Sequence, residues 1–181
     1  MFFCLAAHTS FAQVQAVEDD FEGAGTINSW FGDDCGMDLA FNNPYLQGLN
    51  TSLTVLKYND AGGQYANIRF DISPNYDLTA KSKFSIKIYV PSSSITGSQP
   101  NQLSFKLQDA DASPWERQSE IIKPIALDTW QEVTFDFAND TVLGQTNPLS
   151  ITNFNRIVIQ VNSEDNSDKV IAYLDDLNYY K

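Results

Sequence analysis

Apolar and polar residues alternate with a period of two along five separate runs of this chain, and few folds tolerate that pattern. In 65–71, Ala66, Ile68 and Phe70 alternate with Tyr65, Asn67, Arg69 and Asp71. In 83–90, Phe84, Ile86, Ile88 and Val90 alternate with Lys83, Ser85, Lys87 and Tyr89. The same beat runs through 102–108 (Leu103, Phe105, Leu107), 130–137 (Val133, Phe135, Phe137) and 156–162 (Ile157, Ile159, Val161). Successive side chains of a strand point to opposite faces, so such runs are strands with one face in a core. Clusters of Gly, Pro, Asn, Asp and Ser separate them at 59–63, 73–75, 91–94 and 162–168. No stretch holds a helical period. Many short strands joined by turns predict an all-β protein, an antiparallel β-sandwich in preference to a barrel.

A chain of 181 residues with 43% hydrophobic residues can bury one sizeable core. Residues 13–181 read as one domain. Residues 1–12 read as the remnant of a signal peptide, with an apolar run from Phe2 to Ala7 and small residues at Ser10 and Ala12. That reading puts the protein outside the cell, secreted or at the cell surface. No later segment is long and apolar enough to span a membrane. The formal net charge of −12 opposes binding to phosphate backbones and anionic lipid, which argues against nucleic acid.

Much chemistry is excluded. The single histidine is His8, inside the signal, so ordinary Ser-His-Asp and Cys-His catalysis and His-ligated metals fall away. Cleavage after Ala12 removes Cys4 and leaves Cys35 alone, with no base to activate it. Carboxylate chemistry remains, with Asp20 and Glu22, Asp109 and Asp111, Glu116 and Glu120, or Glu132 and Asp136 as candidate pairs. None of these pairs forms the Glu-x-Asp-x-x-Glu pattern of jelly-roll glucanases.

The polar sets carry the functional signal. Tyr65, Asn67, Arg69, Lys87, Tyr89, Lys106, Gln108, Arg156, Gln160 and Asn162 all point away from the core. On neighbouring strands they form either an ordinary solvated face or a sugar groove. Sugars need flat rings for their C–H faces and amide or guanidinium groups for their hydroxyl pairs. Trp115 follows a proline in a polar loop and is either a stacking platform or a lid on the sandwich end. Trp130 sits in a strand and reads as structural.

Three segments resemble jelly-roll carbohydrate-binding modules of the galactose-binding-like superfamily. They are Asp19-Asp20-Phe21-Glu22-Gly23 followed by Trp30, then Asp128-Thr129-Trp130-Gln131-Glu132-Val133-Thr134-Phe135-Asp136-Phe137, and then Ala172-Tyr173-Leu174-Asp175-Asp176-Leu177. The resemblance implies non-catalytic binding of a polysaccharide, such as a β-glucan or similar plant or algal glycan. It also implies partnership with a parent glycoside hydrolase or lyase. It further implies a structural Ca²⁺ held by Glu22 and Asp175, with Asp20 and main-chain oxygens near Asn50 as further ligands. The expected sugar ligands are Trp115, Arg69, Lys106 and Gln108, followed by Trp30, Tyr65 and Gln160. The competing readings are a structural or adhesive sandwich with no sugar site, and a carboxylate-based glycosidase or lyase.

Overall fold

The computed structural model describes residues 18–181, so residues 1–12, read above as a signal remnant, lie outside the described residues together with Cys4 and His8. The described chain is an antiparallel β-sandwich. Its strands are β1 (Glu18–Asp19), β2 (Phe31–Asp33), β3 (Gly36–Asn42), β4 (Thr54–Asp60), β5 (Asn67–Asp71) and β6 (Lys83–Tyr89). They continue as β7 (Gln102–Gln108), β8 (Gln118–Pro124), β9 (Gln131–Asp136), β10 (Leu143–Gly144), β11 (Arg156–Val161) and β12 (Val170–Tyr180). One sheet runs β3-β4-β12-β6-β9, with β1 added against β12; the other runs β10-β8-β7-β11-β5-β2.

The alternating apolar sets meet between the sheets. Phe84, Ile86, Ile88, Phe135, Leu56 and Leu174 from the first sheet pack against Ile68, Phe70, Phe105, Leu107, Ile157 and Ile159 from the second. All five alternating runs are strands, β5, β6, β7, β9 and β11, to within two residues at each end. Burial of these rings and branched chains, at ~25 cal/mol per Å², drives the closure of the two sheets.

Three strands lack a readable alternation. In β8 the inner positions are Ser119 and Ile121, with Ile122 beside them on the outside, so the apolar signal is broken. The edge strand β3 is mostly exposed and its register shifts between Asp38 and Phe41. Strand β4 carries apolar residues on both faces, because Val55 lies in a second cluster on the far side of its sheet.

In β12 a bulge reverses the alternation. Val170, Ala172 and Leu174 face the main core, and so do Leu177 and Tyr179. The register against β6 shifts between Asp175 and Asn178, and Asp176 takes a positive φ of 47°. Asp175 faces outward by the alternation that places Leu174 inward, and the extra residue that follows brings Leu177 back to the core.

Candidate functional site

The outer face of the second sheet is a groove of about 480 Å³. Its floor is built by register. Val158 of β11 lies opposite Arg69 of β5 on one side and Lys106 of β7 on the other. The next row places Arg156 between Asp71 and Gln108, with Gln118 beyond. One wall is the β7–β8 loop with Pro114 and Trp115; Tyr65 and Glu164 belong to the loops at the opposite strand ends.

Trp115 is 72% exposed. It sits in a single 3-10 turn, Pro114–Glu116, closed by the Arg117 N–H donating to the Pro114 carbonyl at 3.3 Å. The loop is tied down at its base. Asn155 accepts from the Ala110 N–H at 2.7 Å and donates to Asp111 at 3.1 Å, while Asn153 donates to Asp109 at 2.5 Å. An exposed indole on an anchored loop loses little further entropy when a ligand stacks on it.

The cations of the groove are already partnered. The Arg69 guanidinium is 3.0 Å from Asp33. Arg156 donates Nε and Nη2 to the two oxygens of Asp71, at 2.6 and 2.8 Å, and these hydrogen bonds are the main cause of its raised pKa. Lys106 is 5% exposed on the floor. Its ammonium lies 3.0 Å from Glu164 and 3.7 Å from Glu120, and the Ser104 hydroxyl donates to Glu120 at 2.5 Å. Gln108 donates to the Gln118 side chain at 2.8 Å. Asn67 donates to the Tyr65 carbonyl at 2.8 Å, while its own Oδ1 is buried with no protein partner.

Of the residues proposed from sequence as sugar ligands, Trp115, Arg69, Lys106, Gln108 and Tyr65 line this groove. Trp30 lies elsewhere: its ring packs between Phe21 and Phe70, and its Nε1 donates to Asp19 at 2.8 Å. Gln160 is buried and donates to the Ala66 carbonyl at 3.2 Å. Lys87 and Tyr89 belong to the other sheet. The groove adds Arg156, Asn67, Gln118, Val158, Asp33 and Glu164. The outward positions of β5 and β11 already pointed to Asn67 and Arg156. Gln118 lies on the strand without alternation, and Glu164 lies in a turn cluster whose reach no sequence pattern reports.

Of the acidic residues proposed for a metal, Asp175 and Glu22 meet the 43–53 loop on the first sheet. Asp175 is fully buried; its Oδ2 accepts from Asn50 Nδ2 at 2.6 Å and its Oδ1 from the Asp176 N–H at 2.9 Å. Burial pushes its carboxyl up to about 6, partly opposed by its hydrogen bonds. Glu22 accepts from the Leu53 N–H at 2.9 Å, and the Asn50 Oδ1 accepts from the Ser52 N–H at 2.9 Å. Lys87 pairs with the neighbouring Asp176. Asp20 lines a separate shallow depression with Asp19 and Asp176. Among the described residues no three His, Cys, Asp or Glu side chains form a metal cluster. Near the loop Glu22 and Asp175 offer hard carboxylate oxygens of the kind Ca²⁺ takes, whereas Asn50 turns its Nδ2 toward Asp175 and engages its Oδ1 with the Ser52 N–H.

No protein-family model matches the sequence, and no curated protein matches it. Solved structures do. The chain is similar to the family 11 carbohydrate-binding module of a cellulosomal cellulase of Clostridium thermocellum. That match has 13% identity and a TM-score of 0.60, and covers 93% of this chain and 96% of the other. It is similar to the C-terminal family 22 carbohydrate-binding module of Clostridium thermocellum Xyn10B, a module whose cleft residues have been examined for ligand binding. The identity there is 15% and the TM-score 0.56, with 90% and 91% covered. An agarase matches over 90% of this chain but only 24% of its own, at 10% identity and a TM-score of 0.61. The fold is therefore the β-sandwich found in carbohydrate-binding modules.

Proposed function

We propose that this protein binds a neutral polysaccharide in the groove of its second sheet and catalyses nothing. The observation that carries the reading is Trp115, an indole left 72% exposed on an anchored loop beside a floor of amides and ion-paired cations. The exposed ring weighs against a purely structural or adhesive sandwich. The paired cations weigh against an anionic polymer, because Arg69, Lys106 and Arg156 each already face a carboxylate. A glycosidase keeps one of two carboxyls protonated to act as an acid. Here Glu120 and Glu164 instead both face the Lys106 ammonium as ion-pair partners.

The likeness to modules of a cellulase and of Xyn10B supports a role in glycan breakdown, beside or within a glycoside hydrolase or lyase, secreted or at the cell surface. A structural Ca²⁺ held by Glu22, Asp175 and the oxygens of Asn50 and its loop belongs to the same reading. Such an ion ties the first strand region to the last and takes no part in chemistry.

Affinity electrophoresis through laminarin, mixed-linkage glucan, xylan, mannan, agarose, pectin and alginate tests the proposal. Retardation by one neutral polymer, lost in Trp115→Ala, is the expected result. Retardation by pectin or alginate alone, or by no polymer at all with calcium supplied, overturns it.

A further inference from the structure

The groove's floor continues beyond the cavity. One cross-strand row runs over all six strands of the second sheet: Phe31, Arg69, Val158, Lys106, Glu120 and Leu143. At its β2 end stands Phe31, a ring 52% exposed, on a strand otherwise made of Gly32 and Asp33.

Its surroundings fix it in place. The Arg69 guanidinium lies over the ring, 4.9 Å from its centroid, and is itself held by Asp33. Phe31 and Asp33 are two residues apart on one strand, so both face the groove and share Arg69 between them. The entry to β2 is tied to β5, where the Ser29 hydroxyl donates to the Asp71 carbonyl at 2.7 Å. A side chain at Gly32 would collide with the Cys35 carbonyl, so the turn that presents Phe31 is tight. One face of the ring carries Arg69, and the side chain is still left half-exposed.

We infer that Phe31 is a second stacking platform of the glycan site, at the far end of the groove from Trp115. The inference rests on the proposed groove-binding function and extends it. Trp115 lies on the loop after β7, and β7 stands three strand spacings from β2, which sets those two strands roughly 14 Å apart across the sheet. A disaccharide reaches one ring and an extended chain reaches both. The site thus selects for length, and Phe31 contributes only to long chains.

Calorimetric titration with the disaccharides and hexasaccharides of xylan, cellulose and agarose tests this on the wild type, Phe31→Ala, Phe31→Tyr and Trp115→Ala. Phe31→Ala should weaken a hexasaccharide about tenfold and leave the disaccharide unchanged, Phe31→Tyr should restore the hexasaccharide, and Trp115→Ala should weaken both. Hexasaccharide binding that is equal in wild type and Phe31→Ala, while Trp115→Ala loses it, overturns the second platform and leaves the groove intact. Absence of binding by the wild type to every sugar overturns the groove reading itself, and the second platform with it. Equal melting temperatures of wild type and Phe31→Ala separate lost stacking from lost folding.

Discussion

The outer faces of the two sheets differ in chemistry and in what covers them. On the first sheet, the outward residues Val55, Tyr89, Trp130 and Tyr173 are buried in a second apolar cluster. The 43–53 loop covers them: Tyr45 stacks on Tyr89 at 4.0 Å, and Trp130 donates its Nε1 to the Tyr45 carbonyl at 2.8 Å. On the second sheet no loop lies across the outward residues of β5, β7 and β11; they form the floor of a groove, little exposed at Lys106, Gln108 and Val158, with the flanking loops as walls. Alternation determines which side chains leave the core. Whether they then meet a loop or a ligand depends on where that loop folds.

Trp130 and Trp115 are the sharpest pair for breaking this contrast. Trp130→Ala removes a ring that is 4% exposed and a buried hydrogen bond, and should cost about 3–5 kcal/mol in urea unfolding. It should leave glycan affinity unchanged for the fraction that remains folded. A loss of binding at full stability would place the ligand on the wrong sheet.

Trp115→Ala should do the reverse. Its ring packs on little, so stability should move by less than about 0.5 kcal/mol, while affinity for the retarding polymer falls at least about tenfold. A large drop in the unfolding midpoint would instead reveal Trp115 as a lid.

Calcium sharpens the comparison on the covered side. In the proposed site Asp175 lies under the 43–53 loop, so millimolar calcium should raise the melting temperature by about 5 °C over EDTA. Asp175→Asn should abolish that increment. An equal calcium response in the variant would remove Asp175 from the site.

Cys35 lies where the chain crosses between the sheets, from β2 to β3. Burial pushes its thiol up to about 12, so iodoacetamide at pH 8 should modify it far more slowly in the folded protein than in urea. Rapid modification of the native protein would mean that the crossing opens readily.

The fold was legible because five strands carry unbroken alternation: β7, β11 and β5 form the centre of the second sheet, and β6 and β9 one side of the first. Strands β3, β4 and β8 were not, for separate reasons: an exposed bulged edge, a strand buried on both faces, and an inner position filled by Ser119. At the site, Arg69, Lys106 and Gln108 were readable as outward positions of regular strands. Trp30 and Phe31 show the limit. They are neighbours with opposite fates, one packed on Phe70 and the other exposed beside Arg69. A three-residue strand is too short for its pattern to say which ring faces in. Glu164 reaches Lys106 from a loop 58 residues away in sequence, and such a meeting depends on topology alone.

The most direct measurement is intrinsic tryptophan emission during titration with the retarding polysaccharide. Trp30 and Trp130 are packed against protein, whereas Trp115 faces water, so a ligand stacking in the groove should blue-shift the emission. Trp115→Phe should abolish that shift. Retardation in gels with unchanged wild-type emission would contradict the account, because the glycan would then bind away from the open sheet.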